Sequence, residues 1–185
     1  MATDSSALWF YFIHGMLDAL PTNVKLIDGD EYAYYFRRAG AFDDSRSFIR
    51  KTGPDAVILD AANRATYDKQ VAIGQAVYVD GLLNLGNWER TIGHYLASEA
   101  ERERMLEHNV YYALRTSDEY VWIYSDNMNY WTGVKPSGLD DAILRARSKF
   151  DRGEALGFSM DAAVDTAYQK PNARQALIGA KWARD

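Results

Sequence analysis

Three apolar runs in this 185-residue chain each end on a carboxylate: "VKLID" on Asp28, "VAIGQAVYVD" on Asp80 and "YVWIYSD" on Asp126. Paired carboxylates are the groups that protonate a glycosidic oxygen and attack or hydrate the anomeric carbon. The turn "DGDE" places Asp30 and Glu31 directly after Asp28. Like charges this close raise one pKa, which suits Glu31, the longest of these carboxylates, to general acid–base work. Asp80 is then the expected second carboxylate, with Asp126 orienting or assisting. A plainer role competes at each position. Asp after a strand commonly caps the next helix or closes an Asx turn, and Asp30 and Glu31 suit a helix N-terminus.

Around the acids stand groups that recognise hydroxyls and flat sugar faces. Asn127, Tyr130 and Trp131 follow Asp126 within five residues, and the loop "GNWERTIGHY" carries Trp88 and His94. The expected contacts are stacking by Trp88, Tyr130 and Trp131, and hydroxyl recognition by Asp28, His94 and Asn127. Tyr130 and Trp131 would serve equally well packed on a neighbouring loop or subunit. "EYAYYF" packs a helix face, with Tyr34 or Tyr35 as a further sugar platform. The three histidines form no HExxH-type pair, the chain has no cysteine, and "DGDE" lacks EF-hand spacing, so no metal or cofactor is expected. No GxGxxG, Walker or GxSxG motif occurs.

The net charge of −5 argues against a nucleic-acid or anionic-membrane surface, while 14% aromatic residues suit a stacking surface or a large interface. "MATDSSALWFYFIHGML" has no basic start and only a brief apolar run. It is expected to be neither signal peptide nor membrane span, in a soluble protein whose compartment stays open.

The elements that must position these residues alternate. A buried helix, "LWFYFIHGMLDAL", precedes the first strand. Helices over "DEYAYYFRRAG", closed by Gly40, and "FDDSRSFIRKTG", closed by Gly53, follow it, with a shorter one at 61–70 before the second strand. Ser98 to Glu101 spell a capping box opening a helix to about Thr116. Leu139, Ile143, Ala146 and Phe150 mark a helix closed by Gly153, and Ser159 and Asn172 cap two terminal helices. Strand–helix units imply a parallel sheet in a single α/β domain over residues 1–185, binding its ligand beyond the carboxyl ends of the strands.

"GMLDAL…VKLIDGDEYAYYF", "VAIGQAVYVD" and "HNVYYALRTSDEYVWIYSDNMNYW" resemble the C-terminal part of a group of bacterial glycoside-hydrolase-type TIM barrels, over roughly residues 8–150. Where that group usually carries Glu after "YS", this chain has Asp126, one methylene shorter. The resemblance implies a partial (β/α)8 architecture with extra helices. It also implies a glycoside hydrolase on a β-linked poly- or oligosaccharide, or a non-catalytic carbohydrate-binding module or truncated barrel fragment. A full barrel needs about eight strands. Uncovered edges and strands apolar on both faces therefore lead us to expect a homo-oligomer, a dimer under two-fold symmetry.

Overall fold

The computed structural model describes residues 6–56 and 59–179. The elements run α1 (Ser6–Ala19), β1 (Leu26–Asp30), a 3-10 turn (Glu31–Tyr35), α2 (Ala39–Ser47), a π turn (Phe48–Thr52), α3 (Gly53–Ala56) and α4 (Ala61–Gln70). Then come β2 (Val71–Tyr78), α5 (Val79–Leu83), α6 (Ile92–Tyr95), α7 (Glu99–Thr116), β3 (Tyr120–Tyr124), α8 (Leu139–Asp151), α9 (Asp161–Tyr168) and α10 (Ala173–Gly179). The strands form one parallel sheet in the order β1–β2–β3, so the protein is α/β. Among the described residues the sheet stops at three strands, which does not by itself make a barrel. No helix among them is long and apolar enough to cross a membrane. The first five residues of the N-terminal stretch judged above lie outside the described residues.

The register sorts the strand residues by face. Ile27 pairs with Ala72, Gly29 with Gly74, Gly74 with Tyr120, Ala76 with Trp122 and Tyr78 with Tyr124, and paired residues share a face. The opposite face carries Asp28 and Asp30, then Ile73, Gln75 and Val77, then Val121 and Ile123. Helix α7 packs on that second face, where Val77, Met105, Leu106 and Val110 join one core cluster with Ala142 of α8. Each such large apolar side chain contributes about 1.5–3 kcal/mol on burial. Ser98 opens α7 as its capping box requires: its Oγ accepts from Glu101 N at 3.2 Å, and Glu101 Oε2 accepts from Ala97 N at 2.7 Å.

Three expectations need correction. β1 runs on to Asp30, so Asp28 sits mid-strand rather than at its end. The segment after it makes only the 3-10 turn, with extended residues at Phe36 and Arg38, and Gly40 falls in the first turn of α2. Asp30 starts that turn, its Oδ1 accepting from Tyr32 N at 3.0 Å. Phe36 then enters the core edge-on to Phe42, while Tyr34 joins rings of the other sheet face. Nor does Gly53 end a helix, because the chain passes through the π turn into α3.

Candidate functional site

Ile27, Tyr120, Trp122 and Tyr124 are exposed on the sheet face away from α7, and strand β3 alternates accordingly: Tyr120, Trp122 and Tyr124 outward, Val121 and Ile123 inward. The strands beneath are trimmed to fit. Trp122 reaches across β2 toward β1, where a Cβ on Gly29 would lie 3.4 Å from its indole nitrogen. Ala76 and Gly74 in between are small enough to let a ring lie over them.

At the carboxyl ends of the strands these rings become a ladder. Trp88 stacks on Tyr78 at 6.0 Å and 18°, Tyr78 on Tyr124 at 5.7 Å and 22°, and Tyr124 on Tyr34 at 5.9 Å and 23°. Tyr34 also meets Tyr78 at 5.3 Å and 43° and Trp122 at 5.7 Å and 54°, so the ladder folds back on itself at its Tyr34 end. The Arg90 guanidinium lies 5.3 Å from the Trp88 ring centre, in cation–π contact.

Asp126 holds the middle of the ladder. Its Oδ1 accepts from Tyr124 Oη at 2.5 Å and its Oδ2 from Tyr78 Oη at 2.7 Å. These phenols, Tyr124 first, lower its pKa and keep it a carboxylate. In return Tyr78 and Tyr124 are raised, Tyr78 chiefly by burial and Tyr124 chiefly by the Asp126 hydrogen bond. Tyr34 is pushed up to about 12 by burial first, then by Glu31, with Tyr124 and Asp126 adding to it. At neutral pH the site is therefore an ionised carboxylate gripped by protonated phenols.

Asp80 is placed for a different task. Its side chain is 0% exposed, in the first turn of α5. Oδ1 accepts from Ser125 Oγ, and Oδ2 accepts from Asp126 N at 2.9 Å, Asn127 N at 3.1 Å and Asn127 Nδ2 at 2.8 Å. With four donors around it, the carboxylate fastens the loop after β3 and so aims Asp126 at the tyrosines. A proton donor or nucleophile must reach its substrate, and this group faces protein on all sides. Asn127 is spent on the same anchor. Glu31, at the start of the 3-10 turn, is exposed beside Tyr34.

The other expected residues are dispersed. Asp28 lies on the helix-covered face, away from the ladder. Trp88 is a rung, and His94 Nδ1 lies 3.0 Å from Asn87 Oδ1 in the same loop. Tyr130 and Trp131 sit on a separate tight loop, whose Asn129 Oδ1 accepts from Trp131 N at 3.0 Å and Thr132 N at 3.2 Å, closed by the Asn129–Val134 bridge. No ring of the ladder is in stacking range of either, among the described residues. No group of acids and histidines among them is placed to hold a metal ion.

Family models, curated proteins and solved structures yield no match. Tyr78, Trp122 and Tyr124 were not among the candidates from sequence, although aromatics at alternate positions of "YVWIY" are the mark of a ring-bearing strand face.

Trp131 is 99% exposed. A buried Trp would cost about 3–5 kcal/mol on truncation. Trp131→Ala is expected to leave the melting temperature within about 2 °C of wild type, since surface changes stay near ±0.5 kcal/mol. A thermal melt checks this; a fall of many degrees would mean that the ring packs against something.

Proposed function

We propose that the protein binds saccharides on the aromatic ladder at the carboxyl ends of its strands. The observation that carries this is the run of near-parallel rings Trp88–Tyr78–Tyr124–Tyr34 with an ionised carboxylate held among them. The C–H face of a pyranose is apolar and flat and lies well on such rings, while its hydroxyls need strong acceptors at the ring edges. Asp126 and Glu31 are such acceptors. Trp122, at 37% exposure, and Tyr124, at 41%, offer ring surface to a ligand.

A glycoside-hydrolase activity on a β-linked poly- or oligosaccharide has narrower support. Glu31 and Asp126 both raise the Tyr34 and Tyr124 phenols electrostatically, so these two carboxylates border the same rings. With Asp80 enclosed, Glu31 as acid/base and Asp126 as partner are the pair such a reaction would use. The resemblance to bacterial barrels favours it, and would make this sheet part of a (β/α)8 architecture with its ring-bearing face turned inward. A two-fold dimer would compete with a saccharide for the same rings; sedimentation with and without oligosaccharide separates the two uses.

The test is calorimetric titration with β-linked gluco-, xylo- and manno-hexaoses, alongside an assay for new reducing ends. Binding of at least one supports the proposal. Binding without product assigns a carbohydrate-binding module, and product formation abolished by Glu31→Gln assigns the hydrolase. Binding of none overturns both.

A further inference from the structure

On the helix-covered side of β1 lies a cavity of about 1100 Å³, walled by α1, α2, the π turn and α4. It is separate from the ring ladder, because Asp28 and Asp30, which line it, point to the face opposite Trp122 and Tyr124. Drug-sized ligands occupy about 300–1,000 Å³, so the space is ample for a small organic molecule. Ile13, Phe36, Phe48, Ile49 and Tyr67 give it apolar and aromatic walls.

Its charges do not cancel. Four carboxylates line it, Asp28, Asp30, Asp44 and Asp161, against the two guanidiniums of Arg37 and Arg38. Arg38 and Asp161 cancel one another within the lining, and Arg37 turns toward the C-terminal helices, which leaves Asp28, Asp30 and Asp44 without a guanidinium partner among the described residues. Arg38 pairs with Asp161 and Asp165 of α9, and Arg37 donates to Tyr168 Oη and Leu177 O. Asp30 is held by Ser45 Oγ and Tyr32 N. Asp28 and Asp44 have no hydrogen-bond or ion-pair partner among the described residues. Next to Ser45 the Gln75 side chain is fully buried, donating through Nε2 to Ser45 Oγ at 3.3 Å and leaving Oε1 without a partner among the described residues. Asp28 and Asp44 are themselves open to solvent, so water hydrates them when nothing is bound, and they are counter-charges that a cation beside the apolar walls can reach.

We propose that this cavity is a binding site for a small organic cation, an ammonium on an apolar or aromatic body, with Asp28 and Asp44 as its counter-charges and the aromatic walls holding the body. The electrostatics of Asp28 agree. Its carboxyl is raised above the usual range by the surrounding protein first and by Asp30 second, with Arg50 of the π turn pulling the other way. A bound cation would reverse that raise. Aromatic side chains near an ammonium add cation–π attraction.

A raised carboxyl pKa has a stability consequence with a definite sign. The penalty is absent at low pH, where Asp28 is protonated folded and unfolded, and grows as pH rises through the interval above the ordinary value of about 3.9. Asp28→Asn is therefore expected to fold and to melt somewhat higher than wild type at pH 7.

The binding test is an NMR titration at pH 7 of wild type, Asp28→Asn and Asp44→Asn with phenethylammonium, 2-phenylethanol and 3-phenylpropionate. Wild type is expected to bind the ammonium about tenfold more tightly than the alcohol and to reject the carboxylate, with shifts in resonances of Ile49 and Tyr67. Asp28→Asn is expected to remove most of that tenfold preference. Equal affinity for all three compounds, no shift with the ammonium up to about 20 mM, or an undiminished preference in both variants would each overturn the proposal.

Discussion

Replacing Asp80 with alanine is expected to lower stability by about 3 kcal/mol and to cut saccharide binding at least tenfold. The variant strands Ser125 Oγ, two backbone N–H groups and the Asn127 amide, all of which donate to this one buried carboxylate. A buried donor left without an acceptor costs about 1–3 kcal/mol. Water can rescue some of the four, since Asp126 and Asn127 are otherwise exposed, which keeps the sum near the figure for two stranded donors. In a chain of this size 3 kcal/mol corresponds to roughly 6–12 °C in melting temperature. The released loop would also lose its aim on Tyr78 and Tyr124, hence the loss of binding. A melt and a titration on the same sample check both parts. A drop in binding without any change in melting temperature would assign Asp80 to ligand contact instead.

The second large effect is at Glu107. This residue of α7 is only 3% exposed and accepts from Arg145 Nε and Lys149 Nζ of α8, both at 2.7 Å. Lys149 donates further to Leu156 O at 2.7 Å, so the triad ties the two helices to the segment after them. Burial by itself would raise the carboxyl; the two cations prevail and hold it below the usual range. Removing one partner of a buried pair costs about 3–5 kcal/mol. Arg145 and Lys149 keep part of their solvent, so Glu107→Ala is expected to cost about 2 kcal/mol. A folded-state pKa below the unfolded one contributes stability that is present above the ordinary value near 4.3 and is lost as pH falls through the depressed one. The difference in melting temperature between wild type and variant is thus expected to shrink below about pH 4; a difference that stays constant down to pH 3 would rule out this linkage.

The parts of the fold that rest on local patterns were legible in the sequence. Ser98 and Glu101 announce the start of α7 because a capping box closes within four residues. Val71, Ile73, Val77 and Val79 alternate as a strand does, and β2 forms over the first three, but Val79 and Asp80 open α5 instead of extending the strand. The role of Asp80 was not legible, because its donors lie 45–47 residues away and only the pairing of β2 with β3 brings them to it. β3 departs from the expectation of a strand apolar on both faces. Tyr and Trp count as apolar in a run, and only when the rings of "YVWIY" are separated from its aliphatic residues does the one-sided pattern show. Asp28 is not the strand end that the sequence suggests, because the strand continues through "GD", residues that rarely extend one.

The most direct test of the saccharide-binding claim removes the ladder while leaving the loop anchor intact. Tyr78→Phe/Tyr124→Phe deletes both phenol hydroxyls that grip Asp126 but keeps the rings, and Trp88→Ala/Tyr124→Ala deletes two rungs. Titration of each with the hexaose that wild type binds best is expected to show a loss of about tenfold for the first pair. For the second, the expected loss is roughly 30- to 150-fold, at about 1–1.5 kcal/mol for each ring. Wild-type affinity in the Trp88→Ala/Tyr124→Ala variant, with its fold confirmed by circular dichroism, would contradict the account.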